Sequence, residues 1–313
     1  QLRRALRAAE KETTVEVDGR EVHVNHLDKV LWPERGWTKA DLIEYYIKVS
    51  PYILPHLRNR PLVMVRYPDG IEGEHWFQKD APAGAPEWIR TIHVTHEAES
   101  REIRYVVCND LAALVWLAQM ATVEIHTWSA SVADVTKADL AVFDIDPQTG
   151  KFEDAADGAR MVGDLLDELG IKHHLKTTGK RGAHVFVPVR PDETHAAARD
   201  FVHDAVKLLD RRHPGVIALS YSKSRRTGRI FVDYAQNSFG KTNVAPYSLR
   251  ASADGTVSTP LRRDELSRAD PRDYRLDNIT RRLARTGDLW GNLRRDAEIG
   301  IGEAHDRLRK LSA

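Results

Sequence analysis

The stretch Val142–Pro147 reads Val-Phe-Asp-Ile-Asp-Pro and places two acids in an otherwise apolar strand. Alternate side chains of a strand point to the same face, so Asp144 and Asp146 project together while Phe143 and Ile145 face a core. Two ionised carboxylates this close repel each other unless a cation lies between them, and hard divalent metals favour oxygen ligands. The pair therefore indicates a metal site, with two solvent-facing aspartates at a strand end as the simpler alternative.

A second apolar strand with an embedded acid follows at Ile230–Tyr234, which reads Ile-Phe-Val-Asp-Tyr. An unpaired carboxylate in such a strand is costly to bury. If Asp233 lies beside Asp144 and Asp146, the three acids form the cage of a two-metal phosphoryl-transfer site. A salt bridge from Asp233 to Arg229 is the alternative.

The loop between these strands, Thr177–His184, reads Thr-Thr-Gly-Lys-Arg-Gly-Ala-His. Its two glycines, Gly179 and Gly182, allow the backbone to approach a ligand closely and to expose N–H groups. The pattern favours a cradle for a triphosphate, and an ordinary basic hairpin loop is the alternative. The groups available to such a ligand are a hydroxyl, two cations and a histidine: Thr178, Lys180, Arg181 and His184.

The segment Ala235–Thr242 nearly matches a phosphate-binding P-loop but does not fit one. Alanine replaces the first glycine of the motif, and Pro246 makes the following segment a poor helix start. We interpret four side chains of this region as polar groups that face the anionic ligand: Gln236, Asn237, Lys241 and Arg250.

The composition is that of a globular intracellular protein. Of 313 residues, 42% are hydrophobic and 30% charged, which excludes a mostly disordered chain. Cys108 is the one cysteine, so no internal disulfide is expected. No apolar run approaches the ~20 residues of a membrane helix, and no signal peptide is evident.

Charge is balanced overall but clustered locally. The chain carries 47 basic and 46 acidic side chains, for a net charge of +1. Four cations lie close together without an acid among them: Lys223, Arg225, Arg226 and Arg229. Such a cluster indicates a polyanion-binding face, or else a solvated surface.

Periodicity predicts a mixed succession of strands and helices. The first half contains a hairpin over 14–24, a helix that follows a capping box at Thr38–Asp41, a strand over 60–67 and a helix over 110–120. The second half contains strands over 140–146, 174–177, 183–189 and 230–234, with helices over 155–169 and 195–212. This order indicates a mixed α/β layer, and the charged tail after Asp264 is predicted to form a helical surface layer.

The order of these motifs resembles the archaeo-eukaryotic primase superfamily. More closely, it is similar to the polymerase domain of the bacterial multifunctional DNA ligase D and its stand-alone primase-polymerase relatives. Upstream segments match as well, at Leu27–Pro33, Thr38–Lys39 and Glu124–His126. The resemblance covers roughly residues 14–300.

The resemblance implies a mixed α/β or α+β fold with two packed β-sheets flanked by helices. It implies one primase-polymerase domain over 1–313, with a helical extension over 1–13 and a DNA-end-binding lobe over 14–135. A metal- and nucleotide-binding core would occupy 136–260 and a helical tail 261–313.

The resemblance also implies the activity. The expected reaction is template-directed nucleotidyl transfer from NTP or dNTP, with two divalent cations, Mn²⁺ or Mg²⁺, to fill short gaps in end joining or excision-type repair. Implied partners are gapped or broken duplex DNA with a 5′-phosphate, a DNA ligase and a Ku-type end-binding protein, in the cytoplasm of a bacterium at its nucleoid. A non-catalytic DNA-end-bridging module and a metal-dependent phosphohydrolase are the alternatives.

The resemblance finally assigns roles to residues. The catalytic metal ligands would be Asp144, Asp146 and Asp233. The nucleotide would be bound by His126, Thr178, Gly179, Lys180, Arg181, His184, Arg226, Gln236 and Arg250. DNA would be bound by His26, Lys29, Lys39, Arg66, Trp76, Phe77, Lys79, Lys223 and Lys241, with Trp76 and Phe77 as an aromatic platform and Lys29 and Lys39 on the 5′-phosphate. His26 departs from the family, where asparagine often stands.

Overall fold

The computed structural model describes residues 2–96, 100–219, 222 and 226–312. The chain forms two compact units, each assembled from three separate segments. The first unit comprises Gln1–Thr127, Val244–Val257 and Tyr274–Gly287, and the second comprises Trp128–Asn243, Ser258–Asp273 and Asp288–Ala313. The partition expected at residues 135 and 260 stays a prediction.

The described residues contain seven α-helices and sixteen short or medium strands. The helices are α1 (Leu2–Ala8), α2 (Lys39–Leu57), α3 (Leu111–Gln119), α4 (Phe152–Glu168), α5 (His195–Arg212), α6 (Ile279–Thr286) and α7 (Ile301–Ser312). This mixed α+β composition is the one that the sequence predicts. In the part of the chain described, none of the helices has the length and apolar character needed to cross a bilayer.

The first unit contains a hairpin, a small ribbon and a larger antiparallel sheet. The hairpin is β1 (Thr13–Val17) with β2 (Arg20–Val24), and the ribbon is β3 (Val30–Trp32) with β4 (Trp37–Thr38). The sheet has the order β9-β5-β8-β7, with β6 also paired to β5. Its strands are β5 (Leu62–Arg66), β6 (Trp76–Gln78), β7 (Thr91–His96), β8 (Arg101–Val106) and β9 (Thr122–Trp128). The chain passes from the second unit to the first within β15 (Thr242–Val244).

The second unit is built on a six-stranded sheet with the order β13-β14-β10-β12-β11-β16. All neighbours are antiparallel except β13 and β14, which are parallel. The strands are β10 (Leu140–Pro147), β11 (His174–Thr177), β12 (Ala183–Pro188), β13 (Ile217–Ala218), β14 (Ile230–Asp233) and β16 (Pro260–Leu261).

Helix packing decides which face of β10 carries the acids. Phe143 packs edge-on against Phe201 of α5, with 6.3 Å between ring centroids. Helix α4 approaches so closely at Gly158 that an added Cβ would lie 3.0 Å from Ile145 Cγ2. Because Phe143 and Ile145 are covered by these helices, the alternate residues of β10 point to the opposite face.

The sheet face turned away from α4 and α5 carries an apolar cluster near the start of β10. Val142 of β10 and Phe186 of β12 form a small buried cluster there with Trp290 from the tail. Trp290 is held by a hydrogen bond from its Nε1 to the carbonyl oxygen of Leu175, at 3.0 Å. The acids lie farther along the same strand, where Asp144 is partly exposed and Asp146 is exposed.

Local sequence signals predicted most element positions. The hairpin turns at Asp18 and Gly19, both with positive φ. The capping box before α2 is formed, with the Thr38 backbone N–H donating to Asp41 Oδ2 at 2.8 Å. Helix α5 has the predicted limits, whereas α4 begins at Phe152, three residues earlier than the apolar periodicity indicates.

Candidate metal and nucleotide site

Three acids share one face of the second unit's sheet. Asp144 of β10 is paired directly with Asp233 of β14 on one side and with His184 of β12 on the other. Residues directly opposite each other on neighbouring strands project to the same face, and so do Asp144 and Asp146 two positions apart. The register therefore brings together the three carboxylates that the sequence singles out.

The charges of these acids affect one another. The pKa of Asp146 is raised to about 6, first by desolvation and then by the negative charges of Asp144 and Asp233. The cations Arg181 and Arg226 oppose this rise. A group of carboxylates whose mutual repulsion raises a pKa is relieved when a cation binds among them.

Two of the three carboxylates engage local donors. Asp144 Oδ1 lies 3.0 Å from His184 Nε2, and Asp233 Oδ1 accepts a hydrogen bond from the Ala235 N–H at 3.0 Å. In the described part of the chain, no three His, Cys, Asp or Glu side chains already surround one point as a metal cage does. The donor set nevertheless fits a hard divalent ion, because three carboxylates on one open sheet face offer oxygen ligands and excess negative charge.

The loop before β12 is held by its own hydroxyls. Thr178 N–H and Oγ1 both donate to the Gly182 carbonyl oxygen, at 2.9 and 3.1 Å. The Gly179 N–H donates to Thr177 Oγ1, and the Lys180 N–H donates to Thr178 Oγ1. The expectation that these N–H groups face a ligand is therefore wrong for Thr178, Gly179 and Lys180.

The loop that carries Lys180 and Arg181 lies beside β10 and its acids. At Gly182 an added Cβ would lie 2.8 Å from the Ile145 carbonyl oxygen and 3.3 Å from Asp146 Oδ1, so only glycine allows the loop to approach β10 this closely. Lys180 and Arg181 are exposed at the loop's tip. The loop can therefore offer positive charge next to the carboxylates through side chains instead of backbone groups.

The segment after Asp233 forms a 3₁₀ helix, Tyr234–Asn237, followed by the short strand β15. It is therefore not a P-loop, in agreement with the sequence. Asn237 is buried, and its side chain accepts from the Val142 N–H at 2.7 Å and donates to the Val142 carbonyl oxygen at 2.8 Å. The interpretation of Asn237 as a ligand-facing group is thus wrong, since its side chain replaces a strand partner for β10 where β14 ends.

The remaining predicted residues of the second unit are partly or fully accessible. Arg226 stacks over Phe231, with 4.3 Å from its guanidinium carbon to the ring centroid. Gln236 is partly buried in the 3₁₀ helix and Lys241 is exposed. Lys223, expected to bind DNA, lies outside the described residues.

Two predicted nucleotide-binding residues meet at one carboxylate of the first unit. Glu124 Oε2 lies 3.0 Å from His126 Nε2, and Glu124 Oε1 forms an ion pair with Arg250 Nε at 3.1 Å. Glu124 Oε1 also accepts a hydrogen bond from the Ala251 N–H at 3.0 Å. His126 and Arg250, distant in sequence, are therefore neighbours in the first unit.

The two aromatic residues of β6 point to different faces. Phe77 is 60% exposed and contacts His126 edge-on, with 5.7 Å between ring centroids. Trp76 is paired with Arg66, whose guanidinium carbon lies 5.2 Å from the tryptophan ring centroid. Both aromatics border a surface cavity of about 400 Å³ whose lining also includes Lys79 and Arg101. The platform expected from the sequence is therefore two separate aromatic surfaces at one cavity.

A cluster of cations occupies another part of the first unit. Lys39 is only 7% exposed, and its pKa is lowered to about 8 by desolvation and then by the positive charges of Lys29 and Arg66. Lys29 Nζ lies 2.6 Å from Asp69 Oδ1. Like charges gathered around a desolvated ammonium form a receptor for an anion.

Asn25 is a residue that the sequence interpretation missed. Its Oδ1 accepts hydrogen bonds from Lys39 Nζ at 3.3 Å and from Gln119 Nε2 at 2.7 Å, and it lies 2.9 Å from His26 Nδ1. Asn25 thereby links two predicted DNA-binding residues. Glu124 was also missed as a separate residue, although an acid within an apolar strand was a usable signal.

A mixed sheet that carries three carboxylates beside a glycine-flanked basic loop is the arrangement expected of a primase-polymerase core. Comparison with known families agrees, because residues 38–290 match the model of "LigD, primase-polymerase domain". The chain therefore belongs to the LigD primase-polymerase domain family.

Individual relatives support this assignment. The chain is 33% identical over 281 residues to the multifunctional non-homologous end joining protein LigD of Mycolicibacterium smegmatis, which covers 89% of this chain and 37% of that protein. It is 31% identical over 265 residues to the bifunctional non-homologous end joining protein LigD of Bacillus subtilis, covering 83% of this chain and 42% of that protein. The chain thus spans less than half the length of these relatives.

A solved structure matches the fold. The polymerase domain from Mycobacterium tuberculosis Ligase D in complex with DNA superimposes with a TM-score of 0.81 and 33% sequence identity. The match covers 89% of this chain and 99% of that chain. The similarity therefore extends over the whole of that polymerase domain.

Proposed function

We propose that this chain catalyses template-directed nucleotidyl transfer, adding nucleotides from NTP or dNTP at short gaps or broken ends of DNA. The observation that carries the proposal is the register across the second unit's sheet, which aligns Asp233, Asp144 and His184. Three carboxylates beside a basic loop are the parts that phosphoryl transfer requires, since positioning and charge neutralisation supply most of its rate.

Asp144, Asp146 and Asp233 would hold two divalent cations, Mn²⁺ or Mg²⁺. When bound, such ions activate the primer 3′-hydroxyl and neutralise charge on the triphosphate and the pyrophosphate leaving group. The chain's part is to supply the carboxylates on a rigid sheet. His184 supports this role because its Nε2 lies 3.0 Å from Asp144 Oδ1 and fixes that side chain.

The cations around the acids would bind the incoming triphosphate. Lys180 and Arg181 stand exposed on the loop, and Arg181 and Arg226 both act electrostatically on Asp146. The guanidinium groups suit phosphate oxygens because they can bind two at once. In the first unit, His126 and Arg250 would be nucleotide-binding residues, as the resemblance implies.

DNA would be recognised by the first unit. Lys29, Lys39 and Arg66 would bind a 5′-phosphate on the downstream side of a gap, since the charges of Lys29 and Arg66 act on the desolvated ammonium of Lys39. Phe77 and Trp76 would stack on exposed bases. In end joining, a Ku-type end-binding protein would act before the reaction, and a DNA ligase would seal the filled gap after it.

Extension of a primer across a one-nucleotide gap tests the proposal. The protein with Mn²⁺ is expected to add one templated nucleotide and release pyrophosphate, more efficiently when the gap has a 5′-phosphate. Asp144→Asn is expected to lower the rate by at least about a hundredfold, whereas Asp157→Asn, which changes an exposed acid of α4, should leave it unchanged. Ribose and deoxyribose nucleotides are compared in parallel.

The two alternative functions give different products in the same assay. A phosphohydrolase would release inorganic phosphate or shorten the DNA, and an end-bridging module would join two ends without consuming nucleotide. Equal primer extension by the parent protein and Asp144→Asn would refute the assignment of the catalytic acids.

A further inference from the structure

The carboxylate of Glu124 is buried more deeply than the two side chains that it contacts, His126 and Arg250. Its side chain is 3% exposed, compared with 11% for His126 and 13% for Arg250. The neighbouring Phe77 is 60% exposed. Glu124 is therefore the innermost of these side chains, and Phe77 is the most exposed.

We propose that Glu124 is a positioning residue that holds His126 and Arg250 together as one binding unit for the incoming nucleoside triphosphate. The inference rests on the proposed function and deepens it, because it names a residue that acts through two nucleotide-binding groups. One carboxylate serves both, with Oε2 at His126 Nε2 and Oε1 at Arg250 Nε.

The strand β9 fixes one half of this unit. Glu124 and His126 are two positions apart on β9 and so lie on the same face. Glu124 is paired with Val65 of β5, and Val65 is paired with Phe77 of β6, so Phe77 shares that face as well. The contact with Glu124 uses His126 Nε2, and a ligand would therefore meet the Nδ1 side of the ring.

The segment after β15 fixes the other half. The Ile125 N–H donates to Ser248 Oγ at 2.9 Å, which ties this segment to β9. The Arg250 N–H donates to the Thr256 carbonyl oxygen at 2.8 Å, and the following Ala251 N–H donates to Glu124 Oε1. Glu124 therefore fixes both the backbone beyond Arg250 and its guanidinium group.

A carboxylate buried only for stability would show a different response from a positioning residue. Glu44 of α2 offers the comparison, since its side chain is 10% exposed and is paired with Arg7 and Lys48. It lies in the same unit but contacts no predicted nucleotide-binding residue in those pairs. Glu44→Gln and Glu124→Gln remove the same charge, and only the second should affect nucleotide binding.

The test is a double-mutant cycle on nucleotide affinity. Binding of GTP in Mn²⁺ is measured calorimetrically on the full chain bound to a gapped duplex with a templating cytosine and a primer that lacks a 3′-hydroxyl. Glu124→Gln and His126→Ala are each expected to raise the Kd about tenfold. In a variant that already carries both His126→Ala and Arg250→Met, adding Glu124→Gln should raise the Kd by less than a further factor of about two, because the two residues that Glu124 positions are absent.

The opposite outcomes are equally defined. An unchanged Kd for Glu124→Gln would overturn the inference, and so would an equal increase in Kd for Glu44→Gln. A full increase of about tenfold when Glu124→Gln is added to the variant that carries both His126→Ala and Arg250→Met would also overturn it. If the parent protein binds GTP without incorporating it and Glu124→Gln still raises the Kd, the proposed function is refuted and the positioning role is supported. Incorporation by the parent protein with an unchanged Kd in Glu124→Gln would refute only the positioning role.

Discussion

Lys39 combines a stability cost with a functional charge. Its ammonium is desolvated at the start of α2 and lies near two other cations, which lowers its pKa to about 8. Between this value and the unperturbed 10.5, the unfolded chain binds a proton that the folded chain lacks. Stability is therefore expected to rise with pH in that window, and the cost is fully present below pH 8.

We predict that Lys39→Met stabilises the fold and removes the preference for a 5′-phosphate. Removal of the desolvated charge should raise the free energy of unfolding by about 1–3 kcal/mol at neutral pH, and this gain should vanish above pH ~10.5. Chemical denaturation at several pH values measures the first effect, and binding to gaps with and without phosphate measures the second.

Two comparisons decide this prediction. Lys11→Met, which alters an exposed lysine of the same unit, should change neither quantity. In the parent protein, the phosphate preference should weaken between about pH 8 and pH 10 as Lys39 loses its proton. A variant Lys39→Met that is less stable than the parent at neutral pH would contradict the burial cost.

Asp146 leads to a second prediction at this scale. Asp146→Asn removes one of three repelling charges, and because Asp146 is exposed we expect a gain of only about 1 kcal/mol in stability when chelator removes divalent ions. Millimolar Mn²⁺ should raise the melting temperature of the parent protein but not that of the variant. Differential scanning fluorimetry measures both effects, and Asp157→Asn is the control expected to behave like the parent protein. If Mn²⁺ raises the melting temperature equally in all three proteins, Asp146 is not a metal ligand.

At the scale of elements, the end of β14 determines how Asp233 is held. The strand stops at Asp233, whose carboxylate caps the following 3₁₀ helix. On the β14 side of β10, the backbone N–H and carbonyl of Val142 have no strand partner and are hydrogen-bonded by the side chain of Asn237. The same 3₁₀ helix therefore both holds Asp233 at its start and, through Asn237, completes the backbone hydrogen bonding of β10.

We predict that Asn237→Asp destabilises the second unit and slows nucleotide incorporation. The change replaces a donor by an oxygen that faces the carbonyl oxygens of Val142 and Tyr234, which should cost about 2–3 kcal/mol. Thermal unfolding and primer extension are the measurements. Asn292→Asp, the same change at an exposed position, should be neutral, and equal stability of both variants would contradict the role of Asn237.

At the scale of the whole molecule, each unit depends on segments that are distant in sequence. In the first unit, Tyr45 Oη donates to the Tyr247 carbonyl oxygen at 2.7 Å, and Ser248 Oγ accepts from Ile125 N–H. Both tyrosines are buried. Residues 1–127 alone would expose these apolar and polar groups.

We therefore predict that a fragment of residues 1–127 does not fold cooperatively. Its apolar surface around Tyr45 and β9 would lose the cover provided by residues 244–257, which belong to the same unit. Circular dichroism on heating should show no sharp transition for the fragment and a clear one for the full chain. A fragment that melts cooperatively would show that the later segments are dispensable for this unit.

The sequence predicted features that depend on short stretches of backbone. The common face of Asp144 and Asp146 follows from the two-residue period of a strand, and the limits of α5 follow from its helical period. The glycines around the basic loop were also recognisable, although the internal hydrogen bonds of that loop were not. The order of these motifs was sufficient to indicate the family.

Only the tertiary structure decided which distant residues meet. The pairing of Asp233 with Asp144, the shared carboxylate of Glu124 between His126 and Arg250, and the structural role of Asn237 all depend on strand register and loop packing. Periodicity is a local property of the backbone, and it fixes the direction of a side chain relative to its own element. Contacts between elements are set by how all segments pack at once, so they appear only when the chain is folded.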